Sequence, residues 1–398
     1  MTNLPQGWEV KKLEEIANIK GGKRLPKGEN LLDNNTKFAY IRVADFQDNG
    51  TINLQNIKFI NENTYNVLKN YKIYDDNLYI SIAGTIGKSG IIPKELNGAI
   101  LTENAVKLEY IQNNISNKFM YFFTLSNIFK TQIQTSTKIV AQPKLAITRL
   151  KQIQIPLPPL KEQERIVGIL DESFAKIDES IKILEQNLLN LDELMQSALR
   201  KAFNPLNDDT KENYQLPQSW EWKSLEEISE NISAGGDKPK NCTESKTAKN
   251  QIPVYANGVN NNGLVGYTDK ATIIKPSLTI SARGTIGFVC IRKEPYFPIV
   301  RLISLIPCEN ILCLHYLYFC LNFFIAKGEG SSIPQLTIPK FKSLQIPLPP
   351  LKEQEQIAKH LDFVFEKTKA LKELYTKELK DYEELKQSLL NKAFKGEL

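Results

Sequence analysis

Apolar residues between Leu170 and Ala198 recur at steps that alternate four and three: Leu170, Phe174, Ile177, Ile181, Leu184, Leu188, Leu191, Met195 and Ala198. That mean step is the seam of a coiled coil. A second, less regular stripe runs through Leu361, Phe365, Thr368, Leu371, Tyr375, Leu379, Tyr382, Leu385 and Leu389. Each stripe predicts a helix of roughly 40 residues, ~60 Å at the α-helical rise. A lone helix would leave its stripe in water, so the two are expected to pack on each other. Shorter runs read as strands: Phe38–Val43, Leu78–Ile82, Ile252–Tyr255 and Thr279–Ala282. Phe119–Phe129 and Leu314–Ile325 read as buried aromatic helices. The expected fold class is α+β.

The chain is written twice. LPQGWEVKKLEEI at Leu4–Ile16 returns as LPQSWEWKSLEEI at Leu216–Ile228. QIPLPPLKEQERI at Gln154–Ile166 returns as QIPLPPLKEQEQI at Gln345–Ile357. SIAGTIG at Ser81–Gly87 answers SARGTIG at Ser281–Gly287, and LMQSALRKAF at Leu194–Phe203 answers LKQSLLNKAF at Leu385–Phe394. The order of parts is the same in both halves, which is the mark of an internal repeat. Pro156, Pro158 and Pro159 forbid helix before them, and Glu162 and Glu164 suit the first turn of a helix after them. Pro347, Pro349, Pro350, Glu353 and Glu355 repeat the device. Between the landmarks the two bodies differ, and residues 235–266 have no obvious partner in the first half.

Composition narrows the class. Of 398 residues 41% are apolar and 24% charged, ordinary globular material. The N-terminal residues show no apolar signal region, and Ile311–Ala326 is too short to span a bilayer. A cytoplasmic protein is the expectation. Five cysteines, all in the second half, argue against a disulfide framework. The net charge of +6 is unevenly spread: residues 1–150 carry +6, 151–215 carry −4, 216–341 carry +3 and 342–398 carry +1.

Catalytic and metal signals are weak. Gly84–Ser89 ends like a phosphate loop, but the required first glycine is Ile82, and Lys88 and Ser89 become Phe288 and Val289 in the second copy. Cys308, Cys313, His315 and Cys320 lack the paired spacing of a zinc site. They read as core fillers, since Ser116, Lys118 and Phe123 stand at the places of Cys313, His315 and Cys320. No Asn-Pro-Pro or Asp-Pro-Pro string followed by an aromatic residue occurs. No catalytic residue and no metal is therefore expected.

Two dissimilar bodies, each followed by PLPPLKEQE and a long helix, resemble the specificity (S) subunit of type I restriction–modification enzymes. The likeness spans the whole chain and rests on the doubled blocks quoted above. It implies two target recognition domains, each reading one half of a split, asymmetric DNA sequence, with a pseudo-two-fold internal repeat. It also implies an antiparallel coiled coil that sets the gap between the half-sites. The division is then 1–153 and 216–344 for the recognition domains, with 154–215 and 345–398 as the spacer helices. The implied partners are double-stranded DNA, two DNA adenine methyltransferase subunits and two motor–nuclease restriction subunits. S-adenosylmethionine belongs to the methyltransferase, and this chain needs no cofactor of its own. Two alternatives stay open: the specificity subunit of a related non-type-I methylation or defence system, and a duplicated coiled-coil adaptor.

Under that resemblance DNA contacts belong on loops that vary between the bodies. Lys23, Arg24 and Lys27 lie on a Gly/Pro-bounded loop, and Lys238 and Lys240 lie at the matching place. Thr135, Ser136 and Lys138 are matched by Ser331 just before each domain ends, and Arg283 precedes the second GTIG. Lys and Arg suit phosphates and guanine, Ser and Thr suit phosphates. For partner contacts the candidates are Glu162, Gln163, Glu353 and Gln354, which are identical in the two copies.

Overall fold

The computed structural model describes residues 4–136, 144–204, 206, 215–325, 328–329 and 336–398. Its contacts fall into two compact units, Met1–Leu184 with Lys377–Leu398, and Glu185–Thr376. Each unit holds one body and a stretch of both long helices.

In the first unit the tryptophan block forms β1 (Glu9–Lys12), antiparallel to β10 (Gln154–Leu157). The proline block thus closes the body at the point where it opens. A four-stranded antiparallel sheet runs in the order β2 (Ala17–Gly21), β9 (Ala105–Tyr110), β6 (Leu78–Ser81), β7 (Ser89–Ile91). Both faces of its middle are covered, so Leu78, Tyr79 and Ile80 are all fully buried and show no polar alternation. A second sheet has the order β4 (Lys58–Phe59), β3 (Ala39–Ile41), β8 (Ala99–Leu101), β5 (Lys72–Ile73), with β3 parallel to β8. The aromatic helix Asn117–Leu125 starts behind Ser116, whose hydroxyl accepts from Phe119 N. It turns Phe119, Met120 and Phe123 into the core.

The second unit repeats the plan. β11 (Glu221–Ser224) pairs with β21 (Gln345–Leu348) in the register of β1 and β10. The main sheet runs β12 (Ser229–Ala234), β19 (Ile303–Pro307), β15 (Ser277–Ile280), β17 (Val289–Arg292). A bulge between Ser229 and Asn231 inserts one residue relative to β2. The smaller sheet has the order β14 (Leu264–Thr268), β13 (Ile252–Tyr255), β18 (Phe297–Pro298), with β13 parallel to β18. Part of residues 235–266 therefore does have a counterpart: the β13–β14 pair answers β3–β4, with an unlike sequence on the same ladder. A short ribbon joins β16 (Thr285–Ile286) to β20 (Gly328–Glu329). The aromatic helix is Leu314–Phe324.

The long helices are Leu160–Phe203 and Leu351–Ala393, each starting directly after a Pro-Pro pair. They run antiparallel within each unit. In the first, Lys386 donates to Asp178 at 2.6 Å and Arg165 to the Leu398 carbonyl at 2.8 Å. In the second, Lys372 donates to Asp192, while Leu199 and Phe203 share a core with Ala358 and Leu361. Every residue of the first predicted seam is buried or half-buried. The second stripe needs a correction, because Leu371 and Leu385 are 39% and 44% exposed. Lys372 and Lys386 hold those seam positions, which makes the true stripe alternate four and three throughout. A lysine can do this because its methylenes cover apolar surface while the ammonium reaches an aspartate at the rim.

The helix ends explain the KAF echo. In the first unit the Phe394 ring lies 5.1 Å from Phe119 and 5.5 Å from Phe123. In the second, Phe203 lies 5.4 Å from Tyr316. Each body is thus closed by the far end of the helix that starts from the other. Among the described residues no helix is long and apolar enough to cross a membrane.

Candidate nucleic-acid interface

The loop after β2 is held by its backbone, which frees its side chains. Gly22 passes so close to the chain after β8 that a Cβ there would stand 2.0 Å from the Thr102 carbonyl oxygen. Only glycine allows that approach. Lys23 N donates to Leu101 O at 2.9 Å, and the Tyr40 hydroxyl donates to Lys23 O at 2.8 Å. The Lys23 and Arg24 side chains are left exposed on one wall of a groove of about 670 Å³. Lys144 and Glu103 complete its charged lining. Arg24 Nε lies 3.3 Å from Glu103 in an open ion pair. Three cations against one carboxylate leave a positive groove, which suits a phosphate backbone. Lys27 is exposed further along the same loop.

Lys144 was not among the sequence candidates. It stands far from Lys23 in the chain and is brought there by a bridge to Ala83 and by Leu145 N donating to Ile82 O at 2.9 Å.

The second unit builds the same corner. A Cβ on Gly235 would lie 2.6 Å from Ile299 N, and Gly235 N donates to Leu302 O at 2.8 Å. Lys238 and Lys240 are exposed on the loop that follows. Arg283 is exposed at the end of β15, before the second GTIG turn. The last candidate group is less informative. Thr135 spends its hydroxyl on Thr131 O and Gln132 O of its own helix. Ser136 is the last residue of that helix, and Lys138 and Ser331 lie outside the described residues.

The glutamines chosen as partner contacts have a different task. Gln163 is buried: its Oε1 accepts from Ser116 N at 2.9 Å, and its Nε2 donates to Asn114 O at 3.1 Å and Pro158 O at 2.9 Å. Gln354 makes the same three bonds, from Cys313 N at 2.9 Å and to Ile311 O and Pro349 O at 2.9 and 2.8 Å. Each pins the loop before an aromatic helix to the start of a long helix, so neither is free for a partner. Identity between the copies reflects this internal joint. Glu162 is half-buried and paired with Arg165, whose guanidinium holds the carboxyl below its usual range. Glu353 accepts from the Trp220 indole at 3.1 Å.

Apolar side chains do stand free on the long helices, away from the seam. In the first unit they are Ile183 and Leu385, 54% and 44% exposed; in the second they include Leu194 and Leu374, 52% and 55% exposed, with Leu189, Phe363 and Leu371 exposed as well. Ile183 answers Leu374 in the repeat, and Leu194 answers Leu385. They flank the seam on the side opposite Asp178 and Asp192, as their heptad places require.

The weak motifs remain structural. In the Gly84–Ser89 turn, Ser81 N bonds Lys88 O and Gly87 N bonds Ser81 O, so the backbone closes on itself; Lys88 pairs with Asp48 at 2.7 Å. Among the described residues no group of three or more metal-ligating side chains occurs. Cys320 is fully buried, and burial pushes its thiol up. His315 bonds Asp362 at 2.8 Å, in the place where Lys118 pairs with Asp171 in the first unit.

Comparison with known proteins agrees with this architecture. The family model "Type I restriction modification DNA specificity domain" matches twice, over residues 5–189 and 217–381. A Mycoplasma pneumoniae protein described as a type I specificity subunit is 29% identical over 88% of this chain and 87% of its own length. The Salmonella potsdam StySPI type I restriction enzyme specificity subunit is 22% identical over 99% of this chain and 90% of its own. Among solved structures, a chain from a study of complex assembly and conformational transition in the type I R-M system superimposes with TM-score 0.81 at 20% identity, covering all of both chains. The HsdS subunit of Thermoanaerobacter tengcongensis gives TM-score 0.61 at 20% identity, over 100% of this chain and 98% of its own.

Proposed function

The chain belongs to the type I restriction–modification DNA specificity family, and from that premise we propose that it is the DNA-reading, non-catalytic subunit of a methyltransferase complex. Residues 1–153 and 216–344 each read one half of a bipartite, asymmetric target. The helical segments 154–215 and 345–398 set the gap. The observation that carries this reading is the repeated corner. Two units of one plan present cation-bearing loops at the same place, on unlike sequences. Shared scaffold with unlike loops is what reading two different half-sites requires.

Lys23, Arg24 and Lys144 in the first domain, and Lys238, Lys240 and Arg283 in the second, neutralise phosphates or reach base edges. Positive charge of this kind releases counterions, so binding should be salt-sensitive. Docking of two methyltransferase subunits falls to the paired apolar patches, Ile183 with Leu385 and Leu194 with Leu374. Two patches that share a pair of matching positions suit two equal partners, and a helix with an apolar face is the occupant that fits. Motor–nuclease subunits would join the same assembly. S-adenosylmethionine is bound by the methyltransferase, and this chain contributes no group to the transfer. The cytoplasm, where the DNA lies, is the compartment this reading calls for.

The test is reconstitution. The purified chain should neither bind S-adenosylmethionine nor methylate DNA. Adding its methyltransferase partner should switch on adenine methylation at one bipartite sequence. Methyl transfer by the chain alone would overturn the non-catalytic assignment.

A further inference from the structure

The turn between β18 and β19 is built against the preferences of its own residues. Leu302 N donates to Ile299 O at 3.1 Å and closes a four-residue turn. Its central residues, Val300 and Arg301, have φ of +54° and +59°. Two successive positive φ values mark a type I′ turn, which Gly, Asn and Asp populate. A β-branched residue in that region is a genuine outlier. Such strain persists only where the surroundings over-determine it. Two segments do so here, and the second is itself tied to Ala282. Val300 N donates to Gly236 O and Arg301 N to Gly235 O, both at 2.8 Å. Asn257 Nδ2 donates to Val300 O at 2.6 Å, while its Oδ1 accepts from Ala282 N at 2.8 Å.

Folding gains little from these side chains. Val300 is 51% exposed, and Arg301 is exposed beside it. The first unit shows that the turn itself does not demand the conformation. There Ala105 N donates to Thr102 O at 3.2 Å, and the central Glu103 and Asn104 are not left-handed. A valine and an arginine are thus held out, rigidly and at a conformational cost, at the corner already marked by exposed cations. Lys238 and Lys240 follow Gly235-Gly236, and Arg283 follows Ala282, so the loops that anchor the turn also carry the positive charge.

We propose that Val300 and Arg301 are the base-reading tip of the second recognition domain. The Arg301 guanidinium takes O6 and N7 of a guanine in the major groove, and the Val300 methyls pack on the methyl of a neighbouring thymine. The lysines around them hold phosphates and set the register. Four hydrogen bonds to the main chain of the turn fix where both side chains leave the backbone, so little backbone freedom is lost on binding. The inference rests on the DNA-reading function proposed above.

The experiment co-expresses the full chain with its methyltransferase partner and reads the methylated motif from genomic DNA, for the parent, Val300→Gly and Arg301→Gln. Val300→Gly should melt about 2–4 °C higher, since the strain is relieved. Both variants should keep the first half-site. In the second half-site, discrimination should relax at one or two adjacent base pairs; methylation of the parent sequence should fall roughly 10- to 100-fold in Arg301→Gln, which loses a bidentate pair, and by a smaller factor in Val300→Gly. A variant that keeps the full motif at the parent rate would overturn the tip assignment and leave the DNA-reading function standing. A parent chain that yields no bipartite motif would overturn both.

Discussion

Gln163→Ala separates an internal joint from a docking contact. The side chain makes three hydrogen bonds inside its own unit, to Ser116 N, Asn114 O and Pro158 O, and is buried. Alanine leaves one N–H and two carbonyls facing a gap. A buried hydrogen bond contributes about 1 kcal/mol net, so the loss sums to about 3 kcal/mol. At roughly 2–4 °C per kcal/mol, the melting transition that involves this unit should fall by roughly 6–12 °C. Glu162→Ala removes an open pair with Arg165 and a first-turn carboxylate, and should cost no more than ~1 kcal/mol. Gln354→Ala should repeat the loss in the second unit. The assay is thermal unfolding of the full chain followed by pull-down of the methyltransferase at a temperature below both transitions. The joint predicts a lower melting point with partner capture intact. A Gln163→Ala chain that melts within 1 °C of the parent yet no longer captures the methyltransferase would refute the reasoning.

Two further outcomes follow from the geometry. Lys23→Ala with Arg24→Ala should weaken duplex binding and reduce the slope of log affinity against log salt by one to two, read by titration at several salt concentrations; an unchanged slope would move the DNA face elsewhere. Four residues inserted after Leu184, with four near the facing Leu379, add ~6 Å of helix against ~3.4 Å per base pair. The undefined gap in the methylated motif should widen by one or two base pairs, and a constant gap with retained activity would mean that another element sets the spacing.

Much of this architecture can be read from the chain before any coordinates. The doubled blocks mark the repeat, and the stripe from Leu170 to Ala198 is the seam that the structure buries. Other parts needed long-range pairing. Nothing local says that Glu9-Val10-Lys11 runs beside Ile155-Pro156-Leu157, or that the two blocks form one joint. The seam lysines were missed because a hydropathy stripe counts Lys372 and Lys386 as polar, whereas their methylenes pack and only the ammonium leaves. Gln163 misled for a related reason: a polar residue beside two glutamates reads as surface, and its burial depends on carbonyls at Asn114 and Pro158. Lys144 carries no local signal at all, since its place is set by the β-bridge to Ala83.

The measurement closest to the central claim is a body exchange. Residues 20–140 would be replaced by the corresponding body of a relative with a known, different motif, leaving β1, β10 and both long helices intact. The hybrid would be expressed with the methyltransferase and its methylated motif read by sequencing. Two independent readers on one frame predict that one half-site changes to the donor's, while the other half-site and the gap stay as they were. A change in both half-sites, or in the gap, would contradict the account.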